Sequence, residues 1–266
     1  MNELRFAQVD AFADRPFTGN AAAVMPLDAW LPDAVLQAIA AENNLSETAF
    51  ILPDASGEAD YELRWFTPAA EVVLCGHATL ASGHFVLSGE PDRERVTFRT
   101  RKAGLLEVAR AGGGYRLALP AWKPEPKPLP AILDGLGLET AVATLWHPFR
   151  YGVVVVDSAA TVLSLRPDFT RLAAEGDVLT IVTAPGIDTD IVSRVFAPGA
   201  GINEDPVTGS AHAVMVPYWA ERFGRDTLSA YQASKRGGRL GCTLSGDRVL
   251  LDGGCVTVIE GVFRLP

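Results

Sequence analysis

The chain has 266 residues, of which 48% are hydrophobic, and a net charge of −9. This composition supports a sizeable core, and the acidity argues against a nucleic-acid partner, because binding a phosphate backbone needs a basic face. No apolar run approaches the roughly 20 residues that span a bilayer, and the first residues lack the pattern of a signal peptide. Three cysteines do not make a disulfide framework. We therefore expect a cytoplasmic globular protein without a membrane partner, and the length favours two domains.

Hydrophobic patterning predicts a mixture of strands and helices in the first half of the chain. Pro32 suits the first position of a helix, and helical spacing follows it. A second helix is predicted at 77–87. The predicted strands cover residues 4–12, 20–27, 47–53, 61–67, 94–100, 104–110 and 114–120.

A segment with five prolines, 119–130, separates the two halves of the chain. Proline-rich stretches are extended and semi-rigid, so this segment is the predicted linker. The second half is predicted to hold strands near 151–157, 178–183 and 191–197, a long helix from about 209 to 223, and strands to the end. Because strands and helices do not alternate steadily, the predicted fold class is α+β rather than a doubly wound sheet.

A short motif occurs once in each half. "RWFTPAA" (64–70) and "RVFAPGA" (194–200) share the frame R-x-F-x-P-x-A. Each frame is followed by a glycine that opens a predicted helix, Gly76 in the first half and Gly209 in the second, with three extra residues in the second copy. Two such frames in the same order favour an internal duplication, which predicts two similar domains facing each other across a cleft.

The two predicted helix starts have the chemistry of an anion site. A helix start leaves backbone N–H groups without partners and carries about half a positive charge. A glycine lets an anionic group approach the backbone closely. Gly76, Gly209 and Ser210 are therefore candidate donors to a substrate carboxylate, although each glycine could also serve only a turn and Ser210 could be only a cap.

The chain resembles the PhzF-like phenazine-biosynthesis family, which shares its fold with diaminopimelate epimerase and proline racemase. The most specific matching motifs are "EDPVTGSAH" and "CGHAT". Others run in order from one end of the chain to the other: "VDAFADRPFTGNAAAV", "AAENNLSETAFI", "RWFTPAAEVVLCGHATLASGH", "QASKRGG" and "GGCVTVIEGVFRL".

The resemblance implies a domain arrangement. It implies two similar domains, each a mostly antiparallel sheet wrapped around a central helix, related by a pseudo-twofold axis. The first domain is expected at 1–120 and the second at 121–255. The last strand, about 256–266, is expected to return to the first domain, and the family also implies a homodimer.

The resemblance also assigns roles to three residues with acid or imidazole side chains. Glu47, in "LSETAF", is implied to be the catalytic acid–base residue, although by position alone a solvent-facing glutamate at a strand end is the commoner case. His77 and Asp205 are implied to bind the substrate. Without the resemblance, His77 would be assigned a structural role and Asp205 a turn before a proline.

The cysteines distinguish among relatives of this fold. A cofactor-free amino-acid epimerase of this kind uses two thiols, one on each side of the α-carbon. Cys75 occupies the first thiol position, but the matching place in the second half is Thr208, whose hydroxyl is far too weakly acidic for that role. Two-thiol racemisation is therefore disfavoured, and Cys75 is interpreted as a small buried hydrophobe.

The remaining histidines are predicted to be structural, and no metal site or cofactor is expected. They are His84, His147 and His212. The prediction is thus a cofactor-independent isomerase that shifts a proton and a double bond in a small cyclic or unsaturated carboxylic acid. Two alternatives stay open, an epimerase or racemase that uses Glu47 or Cys75 with a different partner base, and a non-catalytic protein that binds small carboxylates.

Overall fold

The structure is a computed structural model that describes residues 2–265. The chain divides into two compact units. One runs to Ala118 and resumes at Asp252, and the other is Leu119–Leu251. The fold class is α+β, as predicted. Within the described residues, no helix combines the length and hydropathy needed to cross a membrane.

The first unit wraps one mixed sheet around a buried helix. Its helices are α1 (Asp33–Asn43) and α2 (Gly76–Gly89). Its strands are β1 (Asn2–Ala11), β2 (Asn20–Pro26), β3 (Glu47–Pro53), β4 (Tyr61–Phe66), β5 (Glu71–Val72), β6 (Arg95–Thr100), β7 (Leu105–Ala111), β8 (Gly114–Pro120, which crosses the unit boundary) and β18 (Cys255–Leu265). The sheet order is β18-β1-β2-β3-β4-β6-β7-β8, with β2–β3 and β4–β6 parallel and the other pairs antiparallel.

The second unit repeats this plan. Its helices are α3 (Pro130–Leu136), α4 (Ala159–Ser164), α5 (Phe169–Ala174) and α6 (Gly209–Phe223). Its strands are β9 (Glu125–Pro126), β10 (Ala143–His147), β11 (Tyr151–Val155), β12 (Leu179–Pro185), β13 (Ile191–Ala197), β14 (Ile202–Asp205), β15 (Thr227–Gln232), β16 (Gly238–Ser245) and β17 (Arg248–Gly253, which crosses the unit boundary). The order β9-β10-β11-β12-β13-β15-β16 has its parallel pairs, β11–β12 and β13–β15, at the same places as the first sheet.

The matching order of strands supports the internal duplication. In both units a short strand pairs with the fifth strand of the order, β5 with β4 and β14 with β13, and leads into the central helix. The first sheet takes its outer strand, β18, from the end of the chain, and the second takes β9 from just before its own first long strand. A short 3₁₀ turn, Pro198–Ala200, accompanies the three extra residues of the second copy. The sequence-based domain bounds stay a prediction.

Helix α2 is buried on nearly all sides because its residues are small or apolar around the whole circumference. It packs on strands β1, β2, β3, β6, β7 and β18 of its own unit. Gly83 permits the closest approach, since a Cβ there would lie 2.3 Å from a methyl carbon of Val108. The central helix therefore has a fixed depth in the sheet, which fixes the position of its first residues.

Helix α6 contains a proline that the rest of the unit compensates. Pro217 has no N–H to donate to the carbonyl of Ala213 four residues earlier, a defect that costs about 3 kcal/mol when nothing replaces it. The Trp122 N–H donates to that carbonyl at 3.1 Å. The proline-rich segment predicted as a linker thus supplies a structural hydrogen bond, and it also contains β9 and the first residue of α3.

The sequence patterns missed α3, α4 and α5, each of which has seven residues or fewer. Short helices rely on their caps, and α5 has a clear one. The Asp168 carboxylate accepts hydrogen bonds from the backbone N–H groups of Thr170, at 3.0 Å, and Arg171, at 3.1 Å. These bonds satisfy two donors that the helix itself cannot satisfy.

We expect Asp168→Ala to lower the free energy of unfolding by about 1 kcal/mol, the usual cost of losing an N-cap. Urea unfolding followed by circular dichroism measures the change. Asp188→Ala, in the exposed turn after β12, is the matched control. Equal losses in both variants, or none in either, would show that the Asp168 cap contributes nothing.

Candidate active site

Glu47 is the first residue of β3 and follows a sharp chain reversal. Helix α1 ends at Asn43, and Asn44 adopts a left-handed conformation with φ of 49°. Asn43 Nδ2 donates to Thr48 Oγ1 at 3.1 Å, which ties the helix end to the new strand. Glu47 then pairs in parallel with Ala22 of β2, and only 9% of its surface is exposed. The local sequence thus places a carboxylate in a largely dry position.

His77 is the second residue of α2 and lies against Glu47. Its Nε2 is 2.8 Å from Glu47 Oε2, and its Nδ1 is 3.2 Å from Nδ2 of Asn20. Both the Nε2–H tautomer and the imidazolium ion donate from Nε2, so in either state His77 orients the Glu47 carboxylate. Asn20 was missed in the sequence analysis, although it lies in the quoted motif "VDAFADRPFTGNAAAV".

Cys75 is the N-cap residue of α2, and its thiol lies beside the same imidazole. The Sγ atom is 3.5 Å from Nδ1 of His77. Burial, with a further contribution from the Glu47 charge, raises the pKa of the Cys75 thiol to about 11. The thiol is therefore protonated at neutral pH, which agrees with its interpretation as a small buried side chain.

The protonation of His77 depends on opposing effects. Burial by itself lowers the pKa of the imidazole, but Cys75 and Glu47 together raise that pKa well above its usual value. Because the Cys75 thiol is uncharged at neutral pH, we attribute the increase to the Glu47 carboxylate. A charged His77 beside Glu47 forms a buried ion pair.

In the second unit, the turn before α6 is held by side-chain hydrogen bonds. The Thr208 hydroxyl donates to a carboxylate oxygen of Asp205. The fully buried Gln232 accepts from the Thr208 N–H at 2.8 Å and donates to the Asp205 carbonyl at 2.8 Å. Gln232 was another omission, although it begins the quoted motif "QASKRGG". Its amide group fixes the backbone on which Asp205 and Gly209 lie.

The two helix starts have similar geometry. Cys75 and Thr208 are both N-cap residues in extended conformation, and neither caps its helix with a side-chain hydrogen bond. Gly76 and Gly209 are buried, whereas Ser210 is partly exposed. The first unit therefore brings Glu47 together with Gly76 and His77, and the second brings Asp205 together with Gly209 and Ser210. Their predicted roles as site residues stay predictions.

Strand register shows that the two units carry different acids. Glu47 and Leu179 hold equivalent places, because Thr48 pairs with Phe66 and Thr180 pairs with Phe196. Asp205 and Val72 are likewise equivalent, as partners of Val195 and Trp65. Each unit thus has one acid at a place where the other unit has an aliphatic residue, so the duplicated units differ in the acids they carry.

Glu204, the acid that precedes Asp205 in "EDPVTGSAH", belongs to a repeated ion pair instead. The Arg194 guanidinium donates to both Glu204 oxygens, at 2.7 and 3.0 Å, and Arg64 binds Glu71 in the same way at 2.8 and 2.9 Å. Bidentate pairs of this kind fix geometry as well as charge. They secure the strand that leads to each helix start.

The three histidines predicted to be structural have packing partners in the structure. His84 makes hydrogen bonds with Tyr115 and Thr257, at 3.0 and 2.8 Å. His147 stacks on Trp122 with ring centroids 5.8 Å apart. His212 Nδ1 lies 2.8 Å from the carbonyl of Thr208, and burial lowers its pKa to about 4, so its imidazole is neutral.

The whole-chain resemblance extends to a family model described as "Phenazine biosynthesis-like protein" (PhzC-PhzF), which matches residues 9–261. The chain belongs to this PhzF family. An uncharacterized isomerase of Pseudomonas aeruginosa is 47% identical to the PhzF-family chain over 264 residues, covering 99% of this chain and 100% of that one.

Solved structures agree with this membership. A crystal structure of a PhzF-family protein from Enterococcus faecalis has a TM-score of 0.90 and 43% identity, covering 99% of this chain and 100% of the other. A hydroxyproline epimerase from Agrobacterium vitis has a TM-score of 0.63 at 11% identity, covering 98% and 92%. The epimerase-like fold is thus confirmed, and the relatives support an isomerase-like role for this PhzF-family chain.

Proposed function

We propose that the protein is a cofactor-independent isomerase that moves a proton, and with it a double bond, in a small cyclic or unsaturated carboxylic acid. The observation that carries the proposal is the buried Glu47 carboxylate held 2.8 Å from His77, with Leu179 at the equivalent place in the other unit. One carboxyl group can take a proton from one carbon and return it to another, whereas an aliphatic residue cannot share the task.

In the proposed reaction, the Glu47 carboxylate removes a proton from a substrate carbon. The electron pair of the broken C–H bond forms a new C=C bond. The electrons of the former double bond shift toward the substrate's carboxyl group, and the resulting intermediate is a dienolate. Glu47 then returns the proton to the far carbon of that system. The net change is a shift of one proton and one double bond, so no oxidant or reductant is consumed.

Charge develops on the substrate when the proton leaves. The N–H groups at the start of α2, beside Gly76, are suited to stabilise it, because they are fixed before the reaction begins. His77 holds Glu47 in one orientation throughout. In the second unit we propose that Asp205, Gly209 and Ser210 bind polar groups of the substrate, on a turn that Gln232 keeps rigid.

A two-thiol racemase mechanism has less support. It needs a thiolate on one side of the substrate and a thiol on the other. The pKa of the Cys75 thiol is about 11, so little thiolate exists at neutral pH. The equivalent N-cap residue, Thr208, offers only a hydroxyl that is bonded to Asp205. The protein lacks the second sulfur at this position.

We expect Cys75→Ala to keep kcat within about tenfold of the wild-type value. On this mechanism the thiol transfers no proton, so its removal should lower kcat by less than the roughly 10²-fold that a general acid–base group contributes at minimum. Initial rates at saturating substrate measure the effect. A loss of about 10³-fold or more, with the fold intact by circular dichroism, would contradict the one-carboxylate mechanism and favour a thiol-based one.

The substrate class is tested with a panel of small carboxylic acids in D₂O. The panel contains cyclic dienoic acids, open-chain unsaturated acids, proline-like amino acids and open-chain amino acids. Proton NMR follows the loss of each C–H signal and the appearance of isomers. The proposal predicts isomers of unsaturated acids. Inversion at the α-carbon of saturated amino acids would replace the proposal by an epimerase, and thermal stabilisation without exchange would replace it by a binding protein.

A further inference from the structure

Three potential metal ligands meet in the first unit, although one of them is distant from the other two in the sequence. Glu47, Cys75 and His77 each offer a ligand atom within 4.8 Å of the other two, and all three residues are buried. Among the described residues, no other group of three such side chains comes together in this way. Sequence spacing does not reveal the cluster, because Glu47 lies far before Cys75 and His77 in the chain.

The donor atoms have the identity that suits zinc and lie close to the spacing that zinc needs. Thiolate, imidazole and carboxylate are the three protein ligands of Zn²⁺, at about 2.3 Å for sulfur and 2.0–2.2 Å for nitrogen and oxygen. A tetrahedral ion with these bond lengths keeps its ligand atoms about 3.3–3.6 Å apart. Here Nε2 of His77 is 2.8 Å from Glu47 Oε2 and 4.0 Å from Cys75 Sγ. Side-chain movements of less than about 1 Å would bring both separations into range.

The charges also balance. Two anionic ligands, the Cys75 thiolate and the Glu47 carboxylate, neutralise a divalent ion, so the complex adds no net charge to a buried place. Binding releases the thiol proton and any proton on Nε2 of His77 to solvent, because the metal takes the electron pairs that held them. Soft sulfur selects a thiophilic ion over Mg²⁺, which prefers oxygen ligands.

We propose that Glu47, Cys75 and His77 bind one thiophilic divalent cation, of which Zn²⁺ is the best match, and that this ion competes with the substrate. The fourth position of a tetrahedral ion is left for water. A Glu47 carboxylate bound to the metal cannot take up a proton from carbon. The ion is therefore an inhibitor of the proposed isomerase. This inhibition rests on the proposed function of Glu47, whereas binding of the ion does not.

Cobalt provides the direct test, because Co²⁺ replaces Zn²⁺ at such sites and gives a thiolate-to-metal charge-transfer absorption. The full-length protein is freed of metal with a chelator and titrated with Co²⁺. We expect a charge-transfer band that saturates at one equivalent, disappears on adding one equivalent of Zn²⁺, and is unaffected by excess Mg²⁺. Absence of a saturable band would overturn the proposal without touching the isomerase, since no substrate is involved.

Three variants assign the band to the cluster. Cys75→Ala and the isosteric Cys75→Ser should abolish it. Glu47→Gln should weaken Co²⁺ binding by more than about tenfold, since even an outer partner of a metal ligand is worth roughly 10–100-fold in affinity. Cys255→Ala, the same change at another thiol, should leave the band intact. A band that survives both Cys75 variants, or is lost in Cys255→Ala, would place the ion elsewhere and overturn the proposal.

Discussion

Replacing Glu47 by glutamine is expected to lower kcat by about 10²–10⁴-fold, the usual contribution of a positioned general acid–base group. The amide has the shape of the carboxyl group, so it can still lie against Nε2 of His77, but it cannot carry a proton between two carbons. Substrate affinity is expected to change little, and the unfolding temperature is expected to fall modestly, because His77 loses the charged partner that raises its pKa. Steady-state kinetics and thermal unfolding measure the three quantities on the same preparation.

Glu58→Gln is the control for this experiment. It makes the same chemical change in the same unit, at a side chain that is 68% exposed and part of a surface ion pair. Its kcat should equal that of the wild type. If Glu47→Gln keeps more than about a tenth of the wild-type kcat, the loss is smaller than the roughly 10²-fold minimum for general acid–base catalysis. Glu47 is then not the proton carrier.

The second large effect concerns stability in mild acid and arises from His212. Its pKa is about 4 in the folded protein, below the value of about 6.5 in an unfolded chain. As the pH falls, the unfolded chain takes up this proton first, so the stabilisation from a neutral His212 is complete above about pH 7 and is lost toward pH 4. Between about pH 8 and pH 5 the loss amounts to about 2 kcal/mol.

The first unit suggests the variant that isolates this effect. Thr79 occupies the place of His212 on α2, and its hydroxyl donates to the Cys75 carbonyl at 2.6 Å, as the His212 ring does to Thr208. His212→Thr should keep this bond and remove the titration. Urea unfolding at pH 8 and pH 5 should show a smaller acid-induced loss in the variant, by about 2 kcal/mol. Equal losses in both proteins would show that His212 does not titrate in this range.

The sequence predicted the long elements and the two helix starts because their signals are local. Helix α2 begins at a glycine, Gly76, that comes shortly after the R-x-F-x-P-x-A frame. Helix α6 begins at Gly209 after the second copy of that frame. The short helices α3, α4 and α5 lack a full period of hydrophobic spacing, and their caps are visible only when the backbone is known. The family resemblance supplied what local signals could not, namely how the duplicated units are built.

Within the candidate site, the sequence named Glu47 and His77 but not their contacts. Asn20 lies against His77, and in the second unit Gln232 holds the turn at Asp205 and Thr208, in both cases through hydrogen bonds between residues far apart in the chain. No spacing rule relates residue 20 to residue 77. The equivalence of Glu47 with Leu179 was also hidden, since it depends on strand register rather than on similar sequence.

The most direct test of the proposed proton transfer by Glu47 measures how fast deuterium enters the carbon of a converted substrate that receives the transferred proton. Wild type, Cys75→Ala and Glu47→Gln are incubated with that substrate in D₂O, and NMR measures the rate at which the transferred proton is replaced. The account predicts replacement by the wild type and by Cys75→Ala, and a rate at least about 10²-fold lower with Glu47→Gln. Replacement by Glu47→Gln at the wild-type rate, with none by Cys75→Ala, would contradict it.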